Sequence, residues 1–266
     1  MTERDQLGNR MKEYEAVETT RKFDPALPVY ARIDGRGFSK FTKNMERPFD
    51  ERMTETMIET TRYLVDKTHA VIGFTESDEI SLAWDGSIVN NKHFFDGKIQ
   101  KACSVIASMA AAKFAVEYFR YFRKHTLDCP HFDCRILQLP SKTETANMFL
   151  WRELDAQKNA ISMAARCFFS HKELQNKSGQ TMISMMGKIG VDINNYPVKF
   201  RQGTWLQRVA EDRVLTPKEL SAIPAQFRPA AESIFTRSVI KEINMPSFIK
   251  VKNREQVIFE NAMPIT

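Results

Sequence analysis

The sequence predicts an α+β protein built on a ferredoxin-like sheet, and two observations lead to this prediction. Short runs rich in β-branched and aromatic residues alternate with longer amphipathic segments in the order β, α, β, β, α, β over residues 28–140. This order is the split βαβ pattern. The chain has 266 residues, of which 42% are hydrophobic, so it can bury the core of one large domain or two small ones.

Each element of this pattern follows from local signals. Turn residues and Pro residues limit the predicted strands. Asp50 is the expected N-cap of the first crossover helix. Strands are predicted at 28–34, 70–76, 79–84 and 132–140, and helices at 4–22, 51–68 and from 98 to about 125. We therefore expect residues 1–140 to form a sheet-containing core that includes the N-terminal helix.

The second half of the chain has a different character. Residues 142–172, 176–190 and 217–243 are predicted to be mostly helical, and 197–205 to be strand-like. We expect residues 141–266 to form a mainly helical extension that packs on the core.

Two segments carry acidic residues at predicted strand ends. ARIDGRGFSKF (31–41) contains Asp34, and TESDEIS (75–81) contains Asp78 and Glu79. In the ferredoxin-like order, strands one and three are antiparallel neighbours, so these carboxylates should meet at one sheet edge. Such carboxylates hold Mg²⁺, and through it a triphosphate, in polymerase palms and nucleotide cyclases. The alternative is ordinary turn chemistry at Asp34-Gly35 and Ser77-Asp78.

Nearby residues suit a triphosphate. Lys40 and Lys43 follow Asp34, and Lys98 and Lys101 lie at the predicted start of a helix, where anions bind readily. Gly35 leaves the backbone free to approach a metal or a phosphate. A site of this kind would therefore have both carboxylates and counter-charges.

Composition limits the function classes only mildly. The net charge of +6 favours a polyanionic partner such as RNA. The polar N-terminus and the lack of a run of eighteen apolar residues predict a cytoplasmic protein without a membrane span. The four cysteines are expected to be free thiols. His125, Cys129, His131 and Cys134 are spaced too closely for the usual zinc knuckles.

Five segments together resemble the tRNA-His guanylyltransferase superfamily over about residues 7–205: RIDGRGFSKF, TESDEIS, FDCR, WRELDAQKNAIS and NNYPVKFRQGTW. The resemblance implies a polymerase-palm-type fold with added helices. It also implies an enzyme that adds nucleotides to the 5′ end of tRNA in the 3′-to-5′ direction, after ATP or GTP activates the 5′-phosphate. A homotetramer is the implied assembly.

The resemblance also implies roles for individual residues. Two Mg²⁺ ions would be held by Asp34, Asp78 and the backbone carbonyl of Gly35, with Glu79 as a third catalytic residue. The nucleotide and its triphosphate would be bound by Gly35, Arg36, Gly37, Phe38, Lys40, Lys43, Ser77, Lys98 and Lys101. RNA would be bound by Arg135, Arg152, Asn159, Lys199 and Arg201.

One departure from the family pattern narrows the expected substrate. Where the guanylyltransferase proper has HINNLYN, this chain has QKNAISM (157–163), with Gln157 in place of the leading His. This resembles the Thg1-like proteins, which implies template-dependent repair of 5′-truncated tRNA. The alternatives are addition of a single G to tRNA-His, a nucleotide cyclase-like enzyme, and a non-catalytic RNA-binding module.

Overall fold

The computed structural model describes residues 3–86, 94–123, 129–230 and 232–266. Within these ranges, six antiparallel strands form a sheet in the order β4-β1-β3-β2-β5-β6. The strands are β1 (Val29–Gly35), β2 (Ile72–Glu76), β3 (Glu79–Trp84), β4 (Phe132–Gln138), β5 (Thr204–Val214) and β6 (Ile234–Ile243). The helices are α1 (Glu3–Thr19), α2 (Phe38–Phe41), α3 (Glu51–Thr68), α4 (Ile99–Phe122), α5 (Lys142–Ala165), α6 (His171–Leu174), α7 (Gly179–Lys188), α8 (Val198–Gln202), α9 (Pro217–Ala222) and α10 (Arg254–Glu260).

The first four strands confirm the ferredoxin-like prediction. Their spatial order is β4-β1-β3-β2, with α3 and α4 as the two crossovers. Asp50 is the N-cap of α3, as predicted: its side chain accepts the backbone N–H of Arg52 at 3.0 Å. The predicted convergence of strand ends therefore rests on the correct topology.

The second half differs from the sequence prediction in two places. The predicted strand at 197–205 is wrong for most of its length, because residues 198–202 form α8 and β5 begins at Thr204. The helix predicted within 217–243 ends at Ala222, and residues 234–243 form β6. This strand pairs with β5 along the outer edge of the sheet and has no fully buried residue, so its apolar pattern is weak. The division of the chain at residue 140 stays a prediction.

Helices cover both faces of the sheet. On one face, α3 and α4 bury Ala31 and Ile33 of β1. On the other face, α5 and the C-terminal segment bury Tyr30, whose ring meets Phe149 of α5 edge-on at 5.3 Å. Alternate residues of β1 thus enter different cores, as strand geometry requires. A third cluster joins the C-terminal part of α5 to α7 and α8.

Helix α4 is long and apolar enough to cross a membrane by length and composition, and a third of its most apolar stretch is buried inside the protein. Ala102, Ile106, Ala110 and Phe114 of this helix pack in the core between α3 and the sheet. Core helices of folded domains commonly pass the same composition test, so this finding is weak support for a span. The absence of a membrane span stays a prediction.

Candidate active site

The structure brings the two acidic segments together at one end of the sheet. Asp34 at the end of β1 lies opposite Glu79 at the start of β3. The backbone N–H of Gly35 donates to the carbonyl of Asp78 at 3.0 Å. Two distant segments of the chain are thus joined by a direct hydrogen bond, and the Asp34 and Asp78 carboxyls become neighbours.

A tight hairpin between β2 and β3 presents Asp78. The two turn residues are Ser77 and Asp78, and Ser77 adopts a left-handed φ of 53°. The Ser77 hydroxyl donates to Asp78 Oδ1 at 3.1 Å, and the Thr75 hydroxyl donates to the Glu79 carbonyl at 2.9 Å. These hydrogen bonds stabilise the turn and so fix the position of Asp78 at the end of the sheet.

Four acidic residues form a row across the sheet at this end. Asp34 is in register with Asp133 of β4 on one side and with Glu79 on the other, and Glu79 is in register with Glu76 of β2. Residues directly opposite one another project from the same face. We call Asp133, Asp34, Glu79 and Glu76 the acidic row; it lies on the α5 face of the sheet, with Tyr30.

Three arginines lie next to the acidic row. Arg32 and Arg135 occupy the next same-face register positions of β1 and β4. Arg152 of α5 forms a bidentate ion pair with Glu79, with Nε–Oε1 and Nη2–Oε2 distances of 2.6 and 2.9 Å, and also contacts Asp155 at 2.9 Å. Arg152 is 8% exposed. Its guanidinium therefore holds Glu79 in place rather than facing solvent.

Burial and crowding of like charges raise the pKa of three carboxyls. Burial raises the pKa of Glu76 to about 8, with further contributions from Glu79 and Asp78. Burial also raises the pKa of Asp78, with Asp34 as the nearby like charge. The pKa of Glu79 is raised by burial against the opposing effect of Arg152. Ionising these carboxyls together is therefore less favourable than ionising them in water.

The raised pKa of Glu76 predicts how stability depends on pH. The unfolded chain loses this proton near the ordinary value of 4.5, whereas the folded protein keeps it up to about pH 8. Over that window the unfolded state binds fewer protons, so this group makes stability fall as pH rises. We expect Glu76→Gln to raise the melting temperature in EDTA at pH 8 and to have a much smaller effect at pH 5. Glu13→Gln, at an exposed position of α1, is the control; equal effects of Glu76→Gln at both pH values would contradict the assignment.

A cleft of about 420 Å³ opens beside the two acidic segments; Asp78 and Gly35 line it, whereas Asp34, which precedes Gly35, does not. Gly35, Ser77, Asp78 and Glu76 form one wall. The opposite wall comes from α2, the loop before α3, α3 itself, the end of α5 and α8. It combines two acidic side chains, Glu46 and Asp50, with apolar and basic ones: Phe38, Met45, Arg47, Phe49, Met53, Met57, Met163, Arg166, Lys199 and Phe200. The volume and mixed lining are those of a small-molecule site.

Glycines shape the mouth of this cleft. A Cβ on Gly35 would lie 2.5 Å from the Phe38 ring, so only glycine allows this aromatic side chain to pack there. Gly37 adopts a left-handed φ of 72° and is the N-cap of α2. Phe38 is buried against Phe114 and other core residues, and it also lines the cleft.

The predicted basic residues are not all in one place. Arg36, Lys40 and Lys43 are exposed on the loop and short helix that follow Asp34. Lys98 is the N-cap of α4, and its backbone forms an isolated antiparallel β-bridge with that of Lys22. The Lys101 ammonium lies over the Phe95 ring, 4.8 Å from its centroid. Among the described residues, neither Lys98 nor Lys101 lines the cleft, and their triphosphate role stays a prediction.

The predicted RNA-binding residues are also dispersed. Arg135 is exposed and pairs with Asp133 at 3.1 Å, and Asn159 is exposed on α5. Lys199 lines the cleft and pairs with Glu55 at 3.0 Å, and Arg201 donates to the Tyr196 carbonyl at 2.8 Å. Arg152, buried against Glu79, is the one that this geometry fits least well as an RNA ligand.

No zinc site is found among the described residues, where no group of three or more metal-ligating side chains gathers. Cys129 and His131 are exposed, whereas Cys134 is buried against Cys103 of α4. His125 lies outside the described residues.

Sequence reasoning missed Glu76, Asp133 and most of the second cleft wall. Glu76 and Asp133 stand in quoted motifs, but only the strand register shows that they share a row with Asp34. Arg47, Arg166 and the cleft residues of α3 are widely separated in the chain and belong to none of the family-like segments.

A palm-type antiparallel sheet whose carboxylates open onto a nucleotide-sized cleft is the architecture of a nucleotidyltransferase. A family model described as tRNAHis guanylyltransferase, Thg1, matches residues 8–140, half of the chain. The chain belongs to this family and is a nucleotidyltransferase.

Relatives agree with this assignment. An uncharacterized protein of Acanthamoeba polyphaga mimivirus is 30% identical over 203 residues, covering 68% of this chain and 69% of that protein. The tRNA(His) guanylyltransferase of Schizosaccharomyces pombe is 24% identical, covering 73% of this chain and 80% of that protein.

Solved structures show the same fold. A bacterial Thg1-like protein in complex with ATP matches with a TM-score of 0.76 and 30% identity, covering 95% of this chain and 99% of that one. Its counterpart in complex with GTP matches with a TM-score of 0.72, also at 30% identity, covering 96% of this chain and 99% of that one. The Saccharomyces cerevisiae tRNA(His) guanylyltransferase, at 22% identity and a TM-score of 0.64, covers 73% of this chain and 91% of that one and shares the fold.

Proposed function

We propose that this protein adds nucleotides to the 5′ end of tRNA in the 3′-to-5′ direction, using the opposite strand as template, and so repairs truncated 5′ ends. The observation that carries the proposal is the convergence of Asp34 and Asp78 at the mouth of a nucleotide-sized cleft. Addition to the tRNA 5′ end is the activity that the names of several relatives imply.

The cleft is the proposed site of the activating nucleotide. Two structures of a bacterial Thg1-like protein, each at 30% identity, contain ATP and GTP, respectively. In this chain, apolar residues such as Met57 and Phe200 would surround the base, and Arg47, Arg166 and Lys199 would offset phosphate charge. ATP and GTP, and other NTPs for the addition step, are therefore the proposed substrates.

The donor set at the cleft mouth fits Mg²⁺. Within the described ranges, neither Asp34 nor Asp78 forms an ion pair with a Lys or Arg side chain, and Asp78 is half-buried beside Asp34. Two hard carboxylates with uncompensated charge, together with the carbonyl of Gly35, match the ligands that this cation prefers. When bound, Mg²⁺ would activate the attacking hydroxyl and neutralise charge on the phosphates.

The proposed reaction has two displacements. In the first, the tRNA 5′-phosphate attacks the α-phosphorus of ATP or GTP, and pyrophosphate leaves. In the second, the 3′-hydroxyl of the incoming NTP attacks the activated 5′-phosphorus, and the nucleoside monophosphate leaves. Asp34 and Asp78 orient the reacting groups, and the Arg152–Glu79 pair holds the start of β3 against β1. Arg36, Lys40 and Lys43, all exposed, would neutralise phosphates outside the cleft.

Repair is favoured over single-G addition by the altered segment of α5. Gln157 stands where the guanylyltransferase motif has histidine, and its side-chain amide donates to the Ser247 hydroxyl at 3.3 Å. The side chain is thus attached to the C-terminal segment within the protein. A homotetramer, implied by the family resemblance, and a cytoplasmic location, predicted from the sequence, are further proposals.

A four-nucleotide incorporation assay on two tRNAs tests the proposal. Each tRNA lacks its first 5′ nucleotide, and the two differ only in the opposing base. We expect Mg²⁺-dependent incorporation of the complementary nucleotide in each case. Incorporation of G regardless of the opposing base would support tRNA-His guanylylation instead, and a cyclic product formed from NTP without RNA would support a cyclase.

A further inference from the structure

Two cysteines, one on α4 and one on β4, lie in contact on the face of the sheet opposite the acidic row. Cys103 is half-buried in the second turn of α4, and Cys134 is buried on β4. The Cys103 thiol donates to the main-chain carbonyl of Cys134, and the Cys134 thiol in turn donates to the Cys103 sulfur. The two residues are 31 positions apart in the chain, so the contact depends on the packing of this crossover helix against the sheet.

The proposed reaction uses neither of these thiols. Neither one lines the cleft, and no cluster of metal-ligating side chains forms in the described part of the chain. Cys134 belongs to the core between the sheet and the helices α3 and α4, and Cys103 packs at the edge of that core. A single buried cysteine is ordinarily inert, but two thiols in contact can be oxidised together to a disulfide.

The two thiols differ in reactivity. The hydrogen bond from Cys134 lowers the pKa of Cys103, whereas the same hydrogen bond and burial raise the pKa of Cys134. The thiolate is the form that attacks an oxidant, and the attack also requires access from solvent. Cys103 meets both conditions and Cys134 meets neither. Cys103 is therefore the attacking thiol, and Cys134 is the thiol that resolves the oxidised product.

We propose that Cys103 and Cys134 form a redox modification site, which hydrogen peroxide converts to a reversible intramolecular disulfide between α4 and β4. Cytosolic thiols are normally kept reduced, and the disulfides that do form there are usually transient and sense oxidants. The modification does not depend on the nucleotide chemistry of the cleft. Only its effect on activity, argued below, rests on the proposed function.

The oxidation takes two steps. In the first, the Cys103 thiolate attacks one peroxide oxygen, the O–O bond breaks, and the products are a sulfenic acid on Cys103 and a hydroxide ion that takes up a proton to become water. In the second, the Cys134 sulfur attacks the sulfenic sulfur, the S–O bond breaks, and a second water leaves with the Cys134 proton. The two thiols together lose two electrons, and the peroxide is reduced to two water molecules.

The disulfide would act on a strand that carries part of the acidic row. Cys134 directly follows Asp133, which is in register with Asp34 of the neighbouring strand β1. The S–S distance in a disulfide is about 2 Å, shorter than a hydrogen-bonded contact between thiols, so α4 and β4 must adjust when the bond forms. A displacement of about 1 Å can lower the rate of an enzyme about 100-fold. We therefore expect oxidation to inhibit nucleotide addition.

The first test maps the disulfide in the full chain. The reduced protein is treated with an equimolar amount of hydrogen peroxide, and its thiols and peptides are followed by mass spectrometry. We expect a linked Cys103–Cys134 peptide pair, a loss of mass equal to two hydrogen atoms, and full reversal by dithiothreitol. Cys103 should react at least about tenfold faster than the exposed Cys167. Cys103→Ser and Cys134→Ser should each abolish the link, and Cys167→Ser is the matched control that should keep it.

The second test measures nucleotide addition to a 5′-truncated tRNA before and after oxidation. Wild type and Cys167→Ser should lose at least about tenfold in rate and regain it with dithiothreitol, whereas Cys103→Ser should be active and insensitive to peroxide. Urea unfolding under reducing conditions identifies any variant that misfolds.

Other outcomes would overturn the inference. The site is wrong if no Cys103–Cys134 link forms, or if Cys103 reacts no faster than Cys167. A disulfide that leaves activity unchanged would confirm the modification and overturn its control of the reaction. If reduced wild-type protein adds no nucleotide to tRNA, the proposed function fails, whereas the peptide map still decides whether the disulfide forms.

Discussion

Asp34→Ala and Asp78→Ala are each expected to reduce nucleotide addition to a 5′-truncated tRNA by about 10³-fold or more. The two carboxylates lie together at the cleft mouth and carry charge that no Lys or Arg of the described residues neutralises by an ion pair. In the proposed reaction they hold the cations that act on the triphosphate, an interaction worth several kcal/mol in the transition state. The measurement is incorporation of labelled NTP at saturating Mg²⁺.

Stability separates this effect from misfolding. Because burial raises the pKa of Asp78, the ionised carboxylate opposes folding near neutral pH. We therefore expect Asp78→Asn to be inactive yet to melt at or above the wild-type temperature in EDTA. Glu13→Ala in α1 is the exposed acidic control. Activity of either aspartate variant within about tenfold of wild type would rule out the two-carboxylate centre.

Arg152→Ala is expected to be the most destabilising single charge removal at the site, costing about 3–5 kcal/mol in the free energy of unfolding. Its guanidinium forms a bidentate pair with Glu79, and both side chains are largely buried. Removal leaves Glu79, in a row of four acids, with only its 3.8 Å ion pair to Arg32. Activity should fall as well, because the start of β3 next to Asp78 loses its anchor to α5.

Arg135 provides a matched comparison for stability. It pairs with Asp133 at 3.1 Å, but both side chains are about half exposed, so Arg135→Ala should cost no more than about 1 kcal/mol. The double variant Glu79→Gln with Arg152→Ala should be more stable than Arg152→Ala alone, because the orphaned charge is gone. Urea denaturation measures all of these values. Equal costs for Arg152→Ala and Arg135→Ala would show that the buried pair is not important for folding.

The sequence predicts the first four strands well because each one has a local signal. Alternation, Pro and Asp-Gly turns bound β1 to β4, and a known topology then brings Asp34 next to Glu79. The edge strand β6 has no such signal: it is half exposed along its length, and its apolar residues fit a helix as well as a strand.

The sequence predicts only those site residues that lie within its recognisable motifs. Asp34, Asp78 and Glu79 stand in two contiguous segments, and their meeting depends on strand order alone. Arg152 pairs with Glu79 across 73 residues, and Asp133 joins the row only through the register of β4 with β1. Register and helix placement depend on the packing of the whole core, which no local pattern of residue types encodes.

The lining of the cleft comes from two separate parts of the chain. Most of it lies within residues 35–78, inside the part that the family model matches, whereas Met163, Arg166, Lys199 and Phe200 come from beyond its end at residue 140. Under the proposed function, altering these four residues would change which nucleotide the protein accepts without changing its chemistry. A shortened gene that ends near residue 140 would encode the carboxylates but neither Arg152 nor these four cleft residues, and we expect it to yield no working enzyme.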